Sequence, residues 1–114
     1  MAGPIRMAVR WMVPAGQTRA IAGALQEVML ATRRQRGCLG CSMATQAGER
    51  VTLLYEEDWD TEENLKRQVR SPQFTILAGL LESAIEPPLI EFTLPCGTRG
   101  LEYAEEIRRG TNAL

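Results

Sequence analysis

Residues 5–13 alternate strictly. Ile5, Met7, Val9, Trp11 and Val13 fall on one side, and Arg6, Ala8, Arg10 and Met12 on the other. A period of two with one strongly apolar side predicts a strand. Pro14-Ala15-Gly16 breaks it, and from Thr18 the period changes. Ile21, Leu25, Val28, Met29 and Thr32 share one helical stripe, and alanines at 20, 22, 24 and 31 add helix propensity. Arg33, Arg34 and Arg36 are expected in the last turn, where cations suit the helix dipole, with Gly37 as its stop.

Cys38 to Gln46 reads as a second strand, and Ala47-Gly48-Glu49 as a hairpin turn. Val51 to Trp59 is a third strand, with Val51, Leu53, Tyr55, Glu57 and Trp59 on one face. Asp60 followed by Glu63 resembles a capping box, which predicts a short helix over Thr61–Val69. Ser71-Pro72 restarts a helix striped by Phe74, Leu77, Leu81 and Ala84, and Pro87-Pro88 ends it. Leu89 to Pro95 is a fourth strand. Leu101 to Arg109 is a final helix with Leu101, Ala104 and Ile107 on one side, either docked on a partner subunit or frayed.

The order β-α-β-β-α-α-β, with right-handed crossovers, predicts an α+β, ferredoxin-like four-stranded antiparallel sheet with helices on one face. The third strand should lie between the first and second, and the fourth beside the first. The expected division is a domain over residues 1–96 and a C-terminal helical extension over 97–114. The uncovered sheet face is expected to carry Ala8, Met12, Leu39, Cys41, Met43, Leu54 and Leu89 beside Arg6, Arg10, Glu56, Asp58 and Glu91. A face this apolar meets another layer, and none exists in the chain. A homodimer with two sheets face to face is therefore expected, with Arg6 and Arg10 placed between carboxylates.

Composition narrows the chemistry. The 114 residues hold 13 Lys+Arg and 14 Asp+Glu for a net charge of −1, so no strong field favours nucleic acid or an anionic membrane. There is no His. A Ser-His-Asp triad, a Cys-His pair and His-ligated zinc or haem are all excluded. Arg6 and Arg10 interrupt the N-terminal apolar stretch, so it is no signal core or membrane span. Three cysteines, an odd number, fit free thiols and a cytoplasmic setting. Cys38-Leu39-Gly40-Cys41 is expected to put its thiols on opposite faces of a strand, too far apart to bridge, so all three cysteines read as buried small hydrophobes.

Four stretches carry a resemblance: Val13-Pro14-Ala15-Gly16, Thr32-Arg33-Arg34-Gln35-Arg36-Gly37-Cys38-Leu39-Gly40, Tyr55-Glu56-Glu57-Asp58-Trp59 and Ser71-Pro72-Gln73-Phe74. Over about residues 5–95, judged by element order and length, the chain resembles the antibiotic biosynthesis monooxygenase family of dimeric α/β barrels. The resemblance implies a dimer with one pocket per subunit between sheet and helices. Some members oxidise quinols or aromatic polyketides with O₂ and no metal, flavin or haem; others degrade haem or act on small signalling molecules. Many members carry a His four residues before the Pro of the Ser-Pro motif, and Gln68 stands there instead.

The candidate site follows from face parity and this resemblance. Glu57, in an apolar wall, is the candidate base for a phenolic proton, with a raised pKa. Gln68 is the candidate hydrogen-bond partner, offering both donor and acceptor, or else it is solvated. Tyr55, Trp59 and Trp11 are candidate substrate-binding walls; the alternative is that these aromatics are core, with Glu57 capping a helix or pairing with an Arg. Arg33, Arg34 and Arg36 either hold an anion or complement a helix end. The expected function is a cofactor-independent monooxygenase acting on a small hydroxylated aromatic or quinol. The alternatives are a non-catalytic small-ligand-binding or scaffolding dimer of the same fold, or a lactone-type isomerase.

Overall fold

A computed structural model describes residues 3–110. Its elements are β1 (Ile5–Val13), a 3-10 turn (Ala15–Gln17), α1 (Thr18–Arg33), β2 (Cys38–Gln46), β3 (Val51–Trp59), α2 (Glu62–Val69), α3 (Pro72–Leu81), β4 (Leu89–Leu94), β5 (Gly97–Arg99) and α4 (Leu101–Gly110). The fold is the expected ferredoxin-like α+β sandwich. Its sheet has five strands, ordered β2-β3-β1-β4-β5. β1 is central and antiparallel to both neighbours, with Val9 opposite Tyr55 on one side and Ile90 on the other. The added strand, β5, is three residues that fold back on β4 after Pro95-Cys96, too short to show an alternating pattern.

Alternation governs β1 and β3 as the sequence predicts. Met7, Val9, Trp11, Leu53, Tyr55 and Trp59 are all buried on the helix side. Against them pack Ile21, Leu25 and Val28 of α1, Leu65 and Val69 of α2, and Leu77 of α3. α2 is only eight residues long, below the length at which an isolated helix is stable in water. Its stability comes from Leu65 and Val69, both fully buried, and from Thr61, whose hydroxyl accepts a hydrogen bond from Asn64 N at 3.1 Å. Thr61, not Asp60, is thus the cap. Asp60 instead accepts from the Asn64 side chain at 2.7 Å.

β2 departs from its expected parity. The register slips between Cys38 and Gly40: Cys38 lies opposite Trp59, Gly40 opposite Asp58, and Cys41 opposite Glu57. This bulge inserts one residue, Leu39, which is 72% exposed. Downstream of it every side chain swaps faces. Cys41 and Met43 therefore join the core instead of the open face, and Ser42 and Ala44 take their places. Cys38 and Cys41 share the core side rather than facing opposite ways. Cys96, expected to be buried, is exposed.

α1 ends at Arg33, so Arg34 and Arg36 lie beyond its last turn. Arg33 Nε donates to Cys41 O at 2.9 Å and ties the helix end to β2. Gly37 sits past the helix at φ +90° and its carbonyl accepts from Asp60 N at 2.9 Å. α4 is also not as expected. It packs within its own chain, on α2 and β4, and buries Tyr103, Ala104 and Ile107, while Leu101 stays 48% exposed. Arg108 donates to Val69 O at 2.8 Å and to Thr75 Oγ1 at 3.1 Å, and its guanidinium stacks over Phe74. The final helix thereby clamps the α2–α3 corner. Residues 111–114 of the expected extension lie outside the described residues. Among the described residues, no helix is long and apolar enough to cross a membrane.

Gly37 joins a left-handed backbone to a close approach, since an added Cβ would collide with the Asn64 side chain. Gly37→Ala is expected to cost about 1–3 kcal/mol of stability, read as a lower urea midpoint at unchanged slope.

Candidate functional site

Strand alternation places Tyr55, Glu57 and Trp59 side by side on the helix face of β3. Glu57 is 1% exposed. A buried carboxylate demands donors, and its two neighbours supply them. The Tyr55 hydroxyl donates to Oε2 at 2.6 Å and Trp59 Nε1 donates to Oε1 at 3.0 Å. The third donor crosses from the helices. Gln68 Nε2, on α2, lies 3.3 Å from Glu57 Oε2 and 3.0 Å from Thr32 Oγ1 on α1. Tyr55 Oη is also 3.3 Å from Thr32 Oγ1, which closes a ring of four polar side chains.

Gln68 is 3% exposed, so the solvated alternative is excluded. Its place depends on Ser71, the cap of α3, whose hydroxyl donates to Gln68 O at 2.6 Å and accepts from Phe74 N at 3.4 Å. The Gln68 amide oxygen faces that hydroxyl, leaving both amide hydrogens for Glu57 and Thr32. The alternatives for Glu57 also fall away, since it neither caps a helix nor pairs with an Arg.

Burial pushes the Glu57 pKa above its ordinary 4.5, and the hydrogen bonds from Tyr55, Trp59 and Gln68 hold part of that rise back. Burial likewise drives the Tyr55 phenol upward, and the neighbouring Glu57 carboxylate adds to the effect. The Cys41 thiol, beside Tyr55, is pushed up to about 12 by burial, and Cys38 is also raised. Thiols held protonated in this way are poor nucleophiles. Among the described residues, no three His, Cys, Asp or Glu side chains converge as metal ligands do.

Trp11 stands apart from the cluster. It is opposite Leu53, two cross-strand rows from the Met7–Glu57 row, a distance of roughly 13 Å along the strand. Its buried indole Nε1 has no hydrogen-bond partner among the described residues. Sequence reasoning missed Thr32, which it read as part of the apolar stripe of α1. The signal was a hydroxyl at a fully buried helical position beside four aliphatic ones.

The family model for antibiotic biosynthesis monooxygenase matches residues 4–76, so the chain belongs to that family. Solved structures share the fold at low identity. A crystal structure of an antibiotic biosynthesis monooxygenase aligns with a TM-score of 0.68 at 11% identity, covering 77% of this chain and 94% of that one. A conserved protein from Methanosarcina mazei aligns at 0.66 and 22% identity, over 78% and 89% of the two chains. A protein from Shewanella oneidensis aligns at 0.70 and 15%, over 82% and 94%. No curated protein matches the chain.

A raised carboxyl pKa has a signed consequence for stability. Folding favours the protonated Glu57, so its contribution is fully present below pH 4.5 and is lost as pH rises through the folded-state value. Glu57→Gln keeps the shape and removes the titration. Relative to that variant, the wild type is expected to lose about 1.4 kcal/mol per unit of upward shift between pH 4.5 and the folded pKa. Paired thermal melts from pH 4 to 8 check this; a constant difference would give Glu57 an ordinary pKa.

Proposed function

We propose that this chain is a cofactor-independent oxygenase that binds a small hydroxylated aromatic or quinol between sheet and helices. One observation carries the reading: Glu57 is a carboxyl buried on the helix side of the sheet with no cation beside it, held by neutral donors and made more basic by burial. Glu57 takes the phenolic proton. In a water-poor site the resulting electron-rich anion is itself the reductant for O₂, which asks for no metal or flavin. Gln68 orients the substrate oxygen at the position where many relatives carry His, and Tyr55 and Trp59 form the walls.

Entry to this site requires movement, because Glu57 is closed from solvent. The roof over Glu57 includes α2, which carries Gln68 and is tied at its C-terminal end by Arg67 to Arg36 O at 2.7 Å and by Arg108 to Val69 O. The working unit is a homodimer joined through the open faces of the two sheets, in a cytoplasmic setting where its cysteines remain thiols.

A second reading has its own support. Each member of the Glu57 ring already has a protein partner, as in a network that only fastens β3 to α1 and α2. Oxygen uptake by metal-free protein separates the two. With quinols, naphthols and anthrones as a panel, uptake above autoxidation is expected. In Glu57→Gln it should fall on the order of 100-fold, the range of a lost general base. No uptake from any of the panel would overturn the oxygenase reading and leave a ligand-binding or scaffolding dimer.

A further inference from the structure

The open face of the sheet holds a charge pattern that the chain does not satisfy by itself. Its cross-strand rows follow from the register. In one row Ala8 lies between Glu56 on β3 and Glu91 on β4; in the next, about 7 Å along the strand, Arg10 lies between Leu54 and Leu89. Two carboxylates thus flank the smallest side chain of β1, while the neighbouring cation is flanked by aliphatics. Arg6, one row beyond, is paired with Asp58 at 2.8 Å. No ion pair among the described residues includes Arg10, Glu56 or Glu91. These rows line an open groove of about 330 Å³, and Leu89 at its edge is 61% exposed.

We infer that the occupant of this groove is a second copy of the chain, seated so that Arg10 of each copy lies over Ala8 of the other, between the other's Glu56 and Glu91. This rests on the homodimer proposed above and specifies its register. Charge discriminates between the two simplest two-fold arrangements of the faces. With a two-fold axis along β1, each Glu56–Ala8–Glu91 row meets its own copy, carboxylate on carboxylate, and Arg10 meets Arg10. With the axis across the strands, between the Ala8 and Arg10 rows, every Arg10 meets two carboxylates and the absence of a side chain beyond Cβ at Ala8 leaves it room. The contact is made twice by symmetry. Flanking Leu54 and Leu89 shield it from water, which strengthens a bidentate guanidinium–carboxylate pair.

Charge reversal tests the register. R10E and the double variant E56R/E91R change only residues that are exposed or half-buried on this face, so circular dichroism should match the wild type. Sedimentation velocity is expected to give a dimer for the wild type and dimerisation weaker by on the order of 100-fold for each variant alone. An equimolar mixture of the two should recover a dimer, because every reversed pair is again opposite in sign. If the wild type dimerises and R10E does so equally well, the Arg10 register is wrong while the dimer stands. Two weakened variants that fail to rescue each other overturn the register too. A monomeric wild type at tens of micromolar would overturn both and assign the groove to a different partner.

Discussion

Everything on the helix side of the sheet is organised around a buried carboxylate that no cation neutralises. Taking an ionised carboxyl out of water costs several kcal/mol unless hydrogen bonds replace its hydration. Here three donors do so, one from each flanking residue of β3 and one from α2. The requirement propagates outward. Gln68 must reach Glu57, so α2 must end where it does; Ser71 must cap α3 to hold the Gln68 backbone; and Thr32 must turn its hydroxyl inward from α1. One polar atom pair therefore couples three helices to one strand, in a core whose aliphatic packing alone would tolerate small shifts.

Much of this was legible in the sequence because two elements obey simple periods. The alternation of β3 put Tyr55, Glu57 and Trp59 on one face, and that of β1 identified the core wall and the open face. Less was legible where a single residue changes the count. The bulge at Leu39 has no composition signal, yet it exchanges the faces of Cys41 and Met43 with those of Ser42 and Ala44. The burial of Gln68 was equally hidden, since a lone amide on a short charged helix reads as solvated until a partner faces it. Thr32 looked apolar because its neighbours were. The stripe of Leu101, Ala104 and Ile107 on α4 holds for Ala104 and Ile107, which are buried, but Tyr103 takes the place of Leu101 by packing on Phe92 at a centroid distance of 4.9 Å.

The C-terminal clamp ties the site to residues beyond the family match at 4–76. Arg108 reaches Val69 O, one residue from Gln68, and stacks on Phe74 at the start of α3. Tyr103 donates to Glu62 at the start of α2, so α4 holds both ends of that short helix. A helix of eight residues has little stability of its own. Its tethers to α4 therefore help to fix the place of Gln68 against Glu57.

The run Glu56-Glu57-Asp58 condenses the logic of the fold. Three adjacent acids meet three environments because a strand turns successive side chains to opposite faces. Glu57 points into the core, where burial raises its pKa and neutral donors offset only part of that rise. Asp58 points outward beside Arg6 and is paired within the chain. Glu56 points outward beside Ala8 and makes no ion pair, though Arg6 of β1 feels its charge. Glu57 is thus met by neutral donors and Asp58 by a cation. Glu56 is left with neither, on a half-apolar face beside an equally unpaired arginine.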